Sequence, residues 1–161
     1  MATGNTLAVF FPSDNEPPAT AYATINVSAT ALHPQLDFDT TTAEAAIFSG
    51  IMPRHYAGGG ITVYVTWAIA AITGTVGWTV EFERSNTAIN ADSFASAQTI
   101  TAATVSGSTL VPSVTNVAVT DGANIDSLAV GELFRIRIKR DVANDTAAGD
   151  AFLLGVELKE T

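Results

Sequence analysis

The chain has 161 residues, 47% of them hydrophobic, a formal charge of −9 from 16 acidic and 7 basic side chains, and no cysteine. That length fits a single domain over residues 1–161, one that buries roughly 68–70% of the surface its unfolded chain exposes and needs no covalent staple. The absence of cysteine excludes disulfides, thiolate metal ligands and thiol catalysis; the acidic balance argues against nucleic acid, where phosphate neutralisation supplies most affinity, and against anionic membranes.

The first residues, MATGNTLAVFFPSDNEPP, have no basic flank and an apolar run of five, too short for a signal-peptide core, so synthesis in the cytoplasm without export is expected. Strands are predicted at residues 6–11 (TLAVFF), 21–27 (AYATINV), 34–39 (PQLDFD) and 44–52 (EAAIFSGIM), with the polar elbow PSDNEPP after the first. From Ile61 the alternation is regular: Ile61, Val63, Val65, Trp67 and Ile69 share one face, while Thr62, Tyr64, Thr66 and Ala68 share the other. After a turn at TGTVG it resumes, with Trp78, Val80 and Phe82 inward and Thr79, Glu81 and Glu83 toward solvent, which predicts a hairpin of these two strands. Residues 55–80 contain no Asp, Glu, Lys or Arg, yet five threonines, several glycines and the period of two mark sheet rather than a lipid-facing helix.

Further strands are predicted in the Thr/Ser-rich stretches at residues 97–105 and 114–120. LFRIRIKR, at 133–140, places Phe134, Ile136 and Ile138 on one face and Arg135, Arg137 and Lys139 on the other. In AFLLGVELKE, at 151–160, Val156 and Leu158 oppose Glu157 and Lys159. Helix signals are confined to 125–132, with Asp126 as N-cap and Gly131 as stop, and to 90–98. Eight or more short strands with almost no helix predict an all-β fold: an antiparallel two-sheet β-sandwich, jelly-roll-like.

Three glycines, Gly58 to Gly60, follow the cluster Arg54, His55 and Tyr56. They lead into a strand rather than a helix N-terminus and lack a phosphate-loop signature, so a turn that reverses the chain before Ile61 is the better reading. Arg54, His55 and Tyr56 are the candidate partner-binding residues, held where another chain or a glycan could reach an exposed Arg and Tyr. Possible calcium ligands occur at His33, Asp37 and Asp39, and at Asp141, Asn144, Asp145 and Asp150, but neither stretch has the spacing of a defined calcium loop, and solvated turns are expected. Asp14 with Glu16, and Glu81 with Glu83, are the nearest carboxylate pairs; with two histidines and no nucleophile-elbow or zinc-protease motif, catalysis, a cofactor and a metal are not expected. The basic stripe Arg135, Arg137 and Lys139 is best matched across neighbouring strands by Glu81, Glu83 and Glu157. The N-x-S/T triplets at Asn26 and Asn144 are read as chance in a Thr-rich chain.

The runs FPSDNEPPATAYAT (11–24), PQLDFDTTTAEAAIFSGIMPRHYAGGGITVYVTWA (34–68) and DSLAVGELFRIRIKRDVANDTAAGDAFLLGVELKE (126–160) resemble a family of small β-sandwich proteins of tailed bacteriophages, most of the chain being covered. Among these, it is similar to the trimeric cement or decoration proteins of some cyanophages, and to the distal sandwiches of tailspikes. The resemblance implies a non-enzymatic virion protein: a homotrimer on the capsid surface that ties together the major capsid protein, made in the host cytoplasm, with no cofactor. The alternative is a receptor- or carbohydrate-binding head of a tail fibre or tailspike, whose partner is a surface glycan reached through loop aromatics such as Tyr22 or Tyr56.

Overall fold

A computed structural model of the chain describes residues 4–27 and 33–161. Each predicted alternation becomes a strand: β1 (Thr6–Phe10), β2 (Thr24–Asn26), β3 (Gln35–Phe38), β4 (Ala45–Ile51), β5 (Ile61–Ile69), β6 (Thr75–Ser85), β7 (Gln98–Thr104), β8 (Ser113–Val119), β9 (Leu133–Arg140) and β10 (Ala151–Glu160). Two antiparallel sheets result, one ordered β2-β3-β10-β5-β8 with β1 also on β10, the other β4-β9-β6-β7. Among the described residues the helical content is two short 3-10 turns, Pro12–Asp14 and Ala123–Ile125, and no helix is long and apolar enough to cross a membrane.

The inner faces are those the period of two indicates. Ile61, Val63, Val65 and Trp67 of β5 meet Trp78, Val80 and Phe82 of β6 and Phe134, Ile136 and Ile138 of β9 in one continuous core. Aromatic rings bridge the sheets: Phe38 lies edge-on to Trp78 at 5.1 Å between centroids, and Phe10 stacks on Phe48 at 5.4 Å.

The expected hairpin of β5 and β6 does not form. Both edges of β5 are occupied, by β10 and β8, and both edges of β6 by β9 and β7, so the turn between them carries the chain from one sheet to the other. The two helix expectations also fail. At 125–132 the 3-10 turn precedes Asp126, which ends it with φ 57° and whose carboxylate accepts the Arg84 N–H at 2.8 Å instead of starting a helix. Residues 90–97 make a turn and then an irregular strap across the outside of the four-stranded sheet, and Gln98 already begins β7.

That strap changes the environment of the charge stripe. Arg135 donates twice to Glu83, at 2.9 and 2.8 Å, Arg137 pairs with Glu81, and the Phe94 ring lies over both guanidinium groups at 5.3 and 4.2 Å. Glu81 and Glu83, expected in solvent, are only 7% and 2% exposed as a result. Glu157 is not part of this ladder: it lies on the other sheet and accepts the Thr6 hydroxyl at 2.8 Å.

Candidate functional site

With the outer face of the four-stranded sheet strapped by Phe94, the open surface is that of the six-stranded sheet. There, β10 pairs with β5 along its whole length. Its other edge is divided: β3 takes residues 151–153 and β1 takes residues 156–159. At the division the register of β10 against β5 slips between Leu153 and Gly155, a bulge that sets Leu154 and Gly155 opposite Thr66. Chain leaving β1 and chain entering β3 diverge at this point, and a groove opens between them.

One part of the groove, about 490 Å³, is walled by Phe11, Pro12 and Ser13 after β1 and by His33 and Pro34 before β3. Thr66, Leu154 and Pro112 complete it. A second part, about 370 Å³, shares Phe11, Thr66 and Leu154 and continues along β10 to Glu157, with Val9 on its rim. A smaller hollow of about 220 Å³ adjoins the far side of Pro12 and Ser13 and is bounded by Tyr22. Phe11 is 58% exposed, and Tyr22 is exposed too. The ring of Phe11 lies beside Gly155, where a Cβ would make ordinary contacts, 3.9 Å from Phe11 Cδ1 and 3.5 Å from the Phe10 carbonyl oxygen. Such a site offers a flat apolar wall with a few fixed polar groups, the Ser13 and Thr66 hydroxyls, the His33 ring and the Glu157 carboxylate.

The tripeptide singled out from the sequence is not in this groove. Arg54 and His55 are exposed, but Tyr56, expected at the surface, is 7% exposed because its ring joins the core between the sheets. It forms the wall of a separate hollow of about 380 Å³ with Asp121, Ser127 and Leu128. Burial pushes the Tyr56 hydroxyl's pKa up, the charges of Asp121 and Glu160 push the same way, and the Gly60 N–H opposes them. The glycines act as a turn: Gly60 has φ 96°, and a Cβ would lie 2.8 Å from the Val119 carbonyl oxygen.

The proposed calcium ligands are engaged elsewhere or dispersed. Asp37 accepts from Gln35 at 2.7 Å and Asn26 at 3.1 Å, and Asp39 accepts the Thr41 N–H and hydroxyl and the Thr42 N–H. Those bonds lower the Asp39 pKa to about 2. Asp145 pairs with Arg140 at 2.7 and 3.1 Å, and Asn144 donates to Asp141. Asp150 and His33 are exposed. Among the described residues no three His, Asp or Glu side chains converge on a metal position. Ser28 of the Asn26 triplet lies outside the described residues.

Phe11 is the residue that sequence reasoning passed over. Its signal was in the doublet Phe10-Phe11: alternation that buries the first ring turns the second outward, and Pro12 then ends the strand.

No family model matches the chain, and no curated protein matches its sequence. Solved structures do match in shape. A family 35 carbohydrate binding module from an environmental isolate superposes with a TM-score of 0.53 at 11% identity, covering 94% of this chain and 92% of that one. The family 11 carbohydrate-binding module of Clostridium thermocellum, in complex with a β-1,3-1,4-mixed-linked tetrasaccharide, gives 0.51 at 9% identity over 100% and 98%. The chain is a jelly-roll β-sandwich. Another family 35 module, in complex with a disaccharide containing glucuronic acid, shares the jelly roll with a TM-score of 0.50 at 11% identity, over 98% of this chain and 87% of that one. At these identities the likeness is one of fold.

Proposed function

We propose that this jelly roll is a non-catalytic carbohydrate-binding module that holds a polysaccharide in the groove between β1 and β3. The observation that carries the reading is the exposed Phe11 ring standing over the Leu154–Gly155 bulge, with hydroxyl, imidazole and carboxylate groups along the same wall. An aromatic ring covers the C–H face of a sugar while neighbouring polar groups bond its hydroxyls, which is what a ligand both apolar-faced and polar-edged requires. Shared fold with modules solved in complex with oligosaccharides supports this reading. A receptor-binding head of a phage tail fibre that grips a surface glycan is a finer version of it; the capsid-cement role and the homotrimer implied by the resemblance draw no support from this geometry.

Binding without turnover fits the carboxylates beside the groove, both of which hold neighbouring chain in place. Asp14 accepts the Phe11 N–H at 2.8 Å, and Glu157 accepts the Thr6 hydroxyl at 2.8 Å. The test is calorimetric titration against a panel of soluble polysaccharides. At least one saturable isotherm is expected, and Phe11→Ala should weaken it about tenfold, the equivalent of one lost aromatic contact, with an unchanged circular dichroism spectrum. Flat titrations throughout the panel would remove the proposal, and release of reducing ends from the bound glycan would remove its non-catalytic part.

A further inference from the structure

Resting on the carbohydrate-binding reading, we propose further that the groove takes an uncharged polysaccharide and rejects uronate-bearing or sulfated ones. Among the described residues, neither part of the groove is lined by a lysine or an arginine. Among the described lining residues the full charge is the Glu157 carboxylate, at the end of the wall that begins with Phe11. Recognition of a sugar carboxylate or sulfate is ordinarily built on guanidinium or ammonium donors, because the anion loses water on entering and must regain charge-assisted hydrogen bonds. Here an anionic sugar would lose its hydration beside a second anion.

The rest of the molecule adds to that repulsion. The chain carries a net charge of −9, none of its seven basic side chains lines the groove, and five of them are paired with carboxylates: Arg135 with Glu83, Arg137 and Lys139 with Glu81, Arg84 with Glu132, and Arg140 with Asp145. Lys159 is the next outward side chain of β10 beyond Glu157, opposite Thr6 and Thr62, and lies outside the lining. Among the described lining residues, His33 is the one side chain able to become a cation. For a neutral sugar the same wall is favourable. Glu157 already accepts one hydroxyl, that of Thr6, and is placed to accept another from the ligand, while Phe11, Pro34 and Leu154 supply apolar contact.

The structurally similar family 35 module in complex with a disaccharide containing glucuronic acid sets the contrast, since this chain is expected to have the opposite charge preference. The experiment compares glycans matched in backbone and different in charge: hydroxyethyl cellulose against carboxymethyl cellulose, methyl-esterified against de-esterified polygalacturonan, and neutral against glucuronic-acid-substituted xylan. Titrations are run at pH 8, where imidazoles are neutral, and at low salt. The neutral member of whichever pair binds should bind at least about tenfold more tightly than its charged counterpart, as expected for one unscreened like-charge contact. In Glu157→Gln that ratio should fall severalfold. A charged member that binds as well as the neutral one overturns the inference and leaves the carbohydrate-binding reading standing, whereas no binding by any member removes both. A ratio unchanged in Glu157→Gln overturns the assignment of selectivity to this groove.

Discussion

Arg140 is 1% exposed, and its guanidinium is saturated by Asp145, the carbonyls of Phe38 and Ala147, and that of Gly149. It thereby fastens residues 145–149 against the end of β3. Removing one member of such a pair leaves the other charge buried and uncompensated, so Arg140→Ala should lower stability by about 3–5 kcal/mol in urea unfolding. Two carboxylates nearer the surface set the acid limit. The hydrogen bond from Arg84 is the main reason the Glu132 pKa is depressed below its ordinary 4.5, and the Thr41 bonds hold that of Asp39 at about 2, below its ordinary 3.8. A depressed pKa in the folded state means stability that is complete above the ordinary value and lost as pH falls through the folded one. Melting temperature should therefore decline from about pH 4.5 downward, and Glu132→Gln should flatten the upper part of that decline in a pH series from 2 to 6. Added salt should shrink the difference, because both groups are near solvent.

The strap of residues 86–97 and the paired strands β6 and β9 form one unit. Directly opposite register sets Glu81 against Arg137 and Glu83 against Arg135, and Phe94 then covers one face of the two guanidinium groups, which keep about a third of their side-chain surface in water while the carboxylates are buried. A surface ion pair contributes roughly 0–1 kcal/mol, but a cation–π contact that is partly desolvated contributes up to about 2 kcal/mol. Phe94→Ala should accordingly cost about 1–2 kcal/mol and render the melting temperature more sensitive to salt, measured by thermal unfolding at two ionic strengths. Alternation alone marked Glu81 and Glu83 as outward, and they are outward of the sheet. What it could not show is that a loop from beyond β6 returns to cover them, because irregular chain has no period to read.

Across the whole molecule, the groove is made of segments that lie far apart in sequence: residues 9–13, 33–34, Thr66, Pro112 and 154–157. Its occupancy should therefore brace both edges of β10 and report on global stability. At a glycan concentration of 100 Kd, mass action adds about 2.7 kcal/mol, or roughly 5–10 °C for a chain of this size. With Phe11→Ala weakening binding tenfold, the same concentration should give about half that gain. Differential scanning calorimetry with and without the glycan checks both figures; no shift at saturation would mean that binding does not favour the folded state.

The period of two determined the strands and the face that each turns inward, because burial on one side of a pleated chain leaves that mark locally. It marked Trp67, Trp78, Phe82 and Phe134 as core, and it turned Phe11 outward next to a proline. Pairing was decided only by tertiary structure. An alternating strand accepts a neighbour on either edge, so β5 and β6, adjacent in sequence and alike in pattern, separate into different sheets once β10, β8, β9 and β7 occupy their edges. The same holds for Tyr56, which follows Arg54 and His55 in sequence yet is drawn into the core between the sheets, and for the groove itself. That groove exists because two strands divide one edge of β10, and such a division depends on contacts between distant residues that no local pattern records.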